Sequence, residues 1–180
     1  MAQDIPLKLQ ELITQGARDF FGQNGVTNIE VAKSGVSATD YQWTGIIGFS
    51  GDLIRGSFAV TCQAGLLNHT HPNVGMGMPV EEADRVDWLG EIANQLLGRI
   101  KNLTLEYSVN FSLSAPSVVK GQALEVVGQD KRMITVSHFT CDSHPLTMTM
   151  ICTINPNFNF DTAIKTGGAK SASEGESLLF

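Results

Sequence analysis

The sequence predicts an α+β domain in which an antiparallel sheet of about six strands buries one face against about three helices. Two long stretches, residues 5–21 and 81–102, carry apolar residues at the three-to-four spacing of an amphipathic helix. A series of shorter stretches alternates apolar and polar residues with period two, as half-buried strands do. Once the second long helical stretch ends, only strand signals follow, which excludes a regular βαβ alternation and favours an antiparallel sheet.

The bulk composition agrees. A chain of 180 residues with 42% hydrophobic and 17% charged residues has enough apolar material for one packed core. A single domain is expected over residues 1–155, followed by a polar tail, 156–180, rich in Asn, Gly, Ser and Lys. The net charge of −6 argues against nucleic acid or an anionic membrane as the main partner, because both select basic surfaces. No apolar run reaches the roughly 20 residues of a membrane span. The first residues, Met1-Ala2-Gln3-Asp4-Ile5-Pro6, lack the basic and apolar regions of a signal peptide. With three cysteines in no CxxC spacing, a reducing, cytoplasmic setting is expected.

Each element follows in order. The first helix opens at Asp4 or Ile5, tolerates Pro6 in its first turn and runs to about Phe21, with Leu9, Leu12, Ile13, Ala17, Phe20 and Phe21 inward. Residues 26–33 read as a strand and 34–40 as a loop. Residues 43–49 and 53–62 form a hairpin around Ser50-Gly51-Asp52, with the glycine available for a positive φ. A short helix over 64–69 is closed by Pro72, and 73–79 is a glycine- and methionine-rich loop. The second long helix starts at Val80 or Glu81 and ends near Asn102. Glu81, Glu82 and Asp84 suit its positive end, and Arg99 and Lys101 its negative end. Residues 106–113 alternate as a strand, 114–121 is a loop around Pro116 and 124–127 is a short strand. Residues 133–140 and 146–154 pair across 141–145.

The second long helix carries the informative face. Trp88, Leu89, Ile92, Ala93, Leu96, Ile100 and Leu103 project to one side, and Asp87, Glu91, Asn94, Gly98 and Lys101 to the other. Glu91 and Asn94 stand three residues apart and so are neighbours on the helix surface. Gly98 costs about 1 kcal/mol relative to alanine inside a helix, and a bare spot there would let another surface approach. Polar residues on an outer helical face are ordinary, and periodicity alone does not make them functional.

Their order adds a second argument. Glu91-Ile92-Ala93-Asn94, followed by Gly98 and Lys101 and preceded by Asp87, resembles the E-x-x-N signature of the CheC/CheX/FliY family, phosphatases of phosphorylated chemotaxis response regulators. Ile46-Ile47-Gly48-Phe49-Ser50-Gly51 followed by Gly56-Ser57-Phe58-Ala59-Val60 is similar to the family's hairpin. The resemblance implies a CheC/CheX-like fold and a substrate that is the phospho-aspartate of a CheY-like response regulator. It implies that Asn94 orients the attacking water and that Glu91 pairs with the regulator's active-site lysine. Asp87, Gly98 and Lys101 would then meet the partner. Magnesium would sit on the regulator, leaving this chain without a metal or cofactor of its own. The first helix offers Glu11-Leu12-Ile13-Thr14, with threonine in place of asparagine, so one site is counted, as in the CheX type. That type implies a homodimer joined along sheet edges.

Other readings stay open. His69-Thr70-His71 and Cys141-Asp142-Ser143-His144 contain metal-ligand residue types, in no spacing typical of zinc. Nucleophilic catalysis by Cys62 or Cys141 is a second reading; Cys62 and Cys152 read as small buried hydrophobes, and Cys141 sits at a turn with no partner histidine assignable from spacing. The main rival is a non-catalytic module that docks on a response regulator through the Glu91/Asn94 face. Burial of that face by the dimer or the tail would count against catalysis in trans or require release of an inhibitory segment.

Overall fold

The computed structural model describes residues 5–37, 39–128, 133–161 and 163. Among the described residues four helices and seven strands follow one another: α1 (Ile5–Gln23), β1 (Ile29–Val31), β2 (Tyr41–Ser50), β3 (Ile54–Cys62), α2 (Ala64–Thr70), α3 (Pro72–Gly75), α4 (Glu82–Leu105), β4 (Ser112–Leu113), β5 (Ser117–Gln122), β6 (Met133–Cys141) and β7 (His144–Ile154). The strands form one antiparallel sheet in the order β1-β6-β7-β3-β2-β4, with β5 also paired to β2. The α+β architecture expected from the sequence is therefore present.

Alternation along the strands decides which face is covered. Trp43, Ile47 and Phe49 of β2, Phe58, Val60 and Cys62 of β3, and Leu146, Met148, Met150 and Cys152 of β7 are all buried. They point toward α1 and α4, which pack side by side on that face. Gly45 sits directly under α4, where an added Cβ would lie 3.0 Å from the Leu89 carbonyl oxygen and 3.1 Å from Leu89 Cγ. Glycine at this register therefore lets the helix approach the sheet closely.

Several elements differ from the expected ones for identifiable reasons. The long helix continues to Leu105, because Thr104 Oγ1 donates to the Lys101 carbonyl at 2.8 Å and the chain reverses only at Ser108, with φ 58°. Residues 106–111 are consequently not a strand. Tyr107, Val109 and Phe111 are nonetheless buried, so the alternation recorded inward-facing residues of an irregular segment. Only Ser112–Leu113 pairs, with β2. The stretch expected as a loop around Pro116 contains β5, an edge strand that starts just after the proline, a position where no ladder bond is lost. No strand forms at 124–127, where the Leu124 N–H instead donates to Gln42 Oε1 at 3.2 Å.

The turns also sharpen. Gly51 supplies no positive φ. A Cβ there would lie 2.2 Å from the Asn110 carbonyl oxygen, so the glycine makes room for the returning chain. The β6–β7 hairpin tightens to a two-residue turn, Asp142-Ser143, with φ 43° and 73°, the backbone of a type I′ turn. The expected tail begins with packed residues: Phe160 is buried edge-to-face against Tyr107, with ring centroids 5.2 Å apart. Beyond residue 163 the tail lies outside the described residues, as do Asp4 and 129–132.

Candidate functional site on helix α4

Local chemistry caps the 24-residue helix α4 and ties it to its neighbours. Glu81 caps its N-terminus, and the Glu81 N–H donates to Asp84 Oδ2 at 2.8 Å, so two backbone donors are satisfied reciprocally. Arg85 binds the first turn to its surroundings, donating to Asn68 Oδ1 at 2.8 Å and to the Val80 carbonyl at 2.9 Å. Trp88 Nε1 donates to Thr70 Oγ1 at 2.9 Å, which fixes α2 against α4. On the inner side Trp88, Leu89, Ile92, Ala93, Leu96 and Ile100 are buried, with Leu97 added, and Leu103 is half-buried. Farther along, Ile100 meets α1 at Gly16, and Arg99 donates to Gln23 Oε1 at 2.7 Å.

The outer side is open. Asp87, Glu91 and Asn94 are exposed, and no described residue covers them. All three line one shallow groove of about 320 Å³ between α4 and β5, completed by Val86, Gly90, Pro116 and Val118. The groove thus has a polar floor from the helix and an apolar wall from the edge strand. Lys120 of β5 reaches back to the Glu82 carboxylate and lies over the Trp43 ring, tying β5 to the first turn of α4. The Lys120 ammonium holds the Glu82 carboxyl below its usual range, and Glu82 in turn raises Lys120.

Gly98 and Lys101, both half-buried, continue along the helix but do not line the groove. An added Cβ at Gly98 would meet none of the described residues within 4 Å, so packing among them does not require glycine there. Three residues that bear on the site escaped the sequence reading. Pro116 and Val118 read as loop, because a two-sided strand partner is invisible in an isolated stretch. Gln95 donates to Glu91 Oε1 at 2.6 Å, a contact that the four-residue spacing could have suggested.

A larger groove of about 640 Å³ runs along α1 and includes Glu11 and Thr14. Size alone does not make it the better site. Lys8 Nζ pairs with Glu11 Oε2 at 2.9 Å, Thr14 Oγ1 donates to the Gln10 carbonyl at 2.8 Å, and no carboxamide stands at the fourth motif position.

The metal-ligand residue types divide. His71 Nδ1 accepts from the Asn73 N–H at 3.0 Å and its ring meets Trp88, whereas His69 Nε2 bonds Asp142 Oδ2 at 3.0 Å, beside the His144 ring. Among the described residues no group of three His, Cys, Asp or Glu converges on a point. Burial pushes the Cys141 thiol up to about 12 and Cys152 to about 11, and Cys62 higher still, so none is poised as a thiolate. No described helix is long and apolar enough to cross a membrane.

The family model described as chemotaxis phosphatase CheX matches residues 43–139, more than half of the chain, starting within β2 and including all of α4. The chain belongs to the CheX family. Solved CheX-type structures share its fold. A chemotaxis protein CheX from Vibrio vulnificus superimposes with a TM-score of 0.69 at 18% identity, covering 84% of this chain and 100% of that one. A CheC-like protein from Shewanella oneidensis gives 0.66 at 20% identity, over 79% of this chain and 96% of its own. The CheX of a CheX–CheY–BeF3–Mg complex from Borrelia burgdorferi gives 0.61 at 14% identity, over 83% and 97%. No curated protein matches the sequence.

Proposed function

We propose that this CheX-family protein dephosphorylates the phospho-aspartate of a CheY-like response regulator, with Asn94 orienting the attacking water and Glu91 pairing with the regulator's active-site lysine. The observation that carries this reading is the placement of Glu91 and Asn94 side by side, exposed, on one helix beside a groove. An acyl phosphate is already activated, so its hydrolysis asks mainly for a positioned water and charge stabilisation. A carboxamide accepts a hydrogen bond from water without bringing negative charge toward the phosphoryl group. A carboxylate one turn away supplies register by pairing with a cation. Magnesium and the phosphorylated aspartate would both be carried by the regulator. The Borrelia relative, solved with CheY, BeF3 and magnesium, supports this class of partner.

Asp87 would contact the regulator at the groove, Gly98 would allow close approach and Lys101 would face an acidic rim. The same reading includes a homodimer in a cytoplasmic setting; β1 ends the sheet with Glu30 and Val31 exposed, and sedimentation equilibrium measures the mass. The alternative, a docking module without catalysis, uses the same face. Phosphate release from a phosphorylated regulator, compared between wild type and Asn94→Ala, separates the two. Acceleration lost in the variant supports the phosphatase; binding without acceleration supports the module.

A further inference from the structure

We propose that Gln95 is a positioning residue that holds Glu91 in its docking conformation. The inference rests on the phosphatase reading and adds a residue outside the E-x-x-N motif. Gln95 Nε2 donates to Glu91 Oε1 at 2.6 Å, a short bond of the kind a carboxylate acceptor makes. Gln95 itself does not line the groove; it braces Glu91 from the following turn. Among the described residues Glu91 makes no ion pair, so its charge stays available to a partner's cation, and Oε2 is left for that contact.

The first helix provides an internal contrast. Glu11 and Gln15 repeat the same four-residue spacing, yet Glu11 is taken by Lys8 at 2.9 Å. On α4 the position three residues before Glu91 is Trp88, which is buried, and the carboxylate turns to Gln95. Spacing alone therefore does not produce the bond, and on α1 the glutamate is held by a cation instead. A long exposed glutamate loses rotamer freedom when it docks, and holding it beforehand lowers that loss.

The test compares wild type, Gln95→Met, Glu91→Ala and the double variant with a phosphorylated CheY-like regulator. Methionine keeps length and helix propensity and removes the donor. Gln95→Met is expected to raise KM by about fivefold to tenfold, with a much smaller change in kcat. In the Glu91→Ala background the same change should leave KM unmoved, since the brace has nothing to hold. An equal rise there overturns the proposal. Carbon relaxation of the Glu91 methylenes in the free protein gives a readout independent of turnover. Loss of order in Gln95→Met upholds the brace, and equal mobility in both proteins overturns it. Absence of turnover by wild type on every regulator defeats the phosphatase reading instead, and the relaxation result then decides the brace alone.

Discussion

Asn94 and Gly98 can be separated from the residues that merely fold the helix, because neither side of the fold depends on them. Asn94 is exposed, so Asn94→Ala should leave the unfolding midpoint nearly unchanged while lowering turnover by roughly 10²-fold or more, the cost of misplacing a reacting water. Among the described residues Gly98 has open space where a side chain would project. Gly98→Ala is therefore expected to stabilise the protein by up to about 1 kcal/mol in urea unfolding, through helix propensity alone. Gly98→Leu should fold equally well and weaken binding of the regulator. Unimpaired binding by the leucine variant, measured by calorimetry, would remove the close-approach role assigned to this position.

At the scale of elements, α4 is held by its inner face and by the gap left at Gly45. Ile92 is buried, and Ile92→Ala should cost about 2–5 kcal/mol in chemical denaturation. Gly45→Ala would force Leu89 and its carbonyl away from β2, with an expected loss of about 1–3 kcal/mol. A neutral Gly45→Ala would show that α4 can ride higher on the sheet without penalty. The two helices and the central strands were legible in the sequence, because each one carries its own periodicity. The exposed face of α4 was legible for the same reason. What could not be read was pairing: β5 is a strand only because β2 lies beside it, and residues 106–111 alternate in burial without pairing at all. The apolar wall of the groove was missed on this account, since Pro116 and Val118 belong to that edge. The brace from Gln95 went unread because the i, i+4 spacing occurs equally on α1, where Lys8 captures the glutamate instead.

Across the whole molecule, the β6–β7 turn ties two distant segments together and should give the fold a pH dependence. Asp142 accepts from the Thr27 N–H at 2.9 Å, from the Asn28 N–H at 2.8 Å and from the Thr27 hydroxyl at 2.9 Å, and it meets His69 at 3.0 Å. The Thr27 N–H bond, then His69, holds its carboxyl well below the usual aspartate range. Its contribution is present above about pH 3.9 and is lost as the pH falls toward the folded value. Burial, and then the neighbouring His69, lowers the pKa of His144, whose ring lies 5.4 Å from that of His69. The unfolded chain therefore takes up a proton near pH 6.5 that the folded protein resists, so stability falls on acidification through that region. The urea midpoint should drop between about pH 7.5 and 5.5, and His144→Gln should flatten that part of the curve. An unchanged slope in the variant would place the titration elsewhere.

With α4 held at Arg85 and Trp88, Glu91 and Asn94 stand exposed among the described residues, as the proposed docking on a regulator requires. The most direct test is the time course of phosphate release from a phosphorylated CheY-like regulator with magnesium, alone, with wild type and with Asn94→Ala. The account predicts faster release with wild type and the regulator's own rate with Asn94→Ala, although both proteins bind. Equal acceleration by the two proteins would contradict the assignment of the water to Asn94, and no acceleration despite binding would leave a docking module in place of an enzyme.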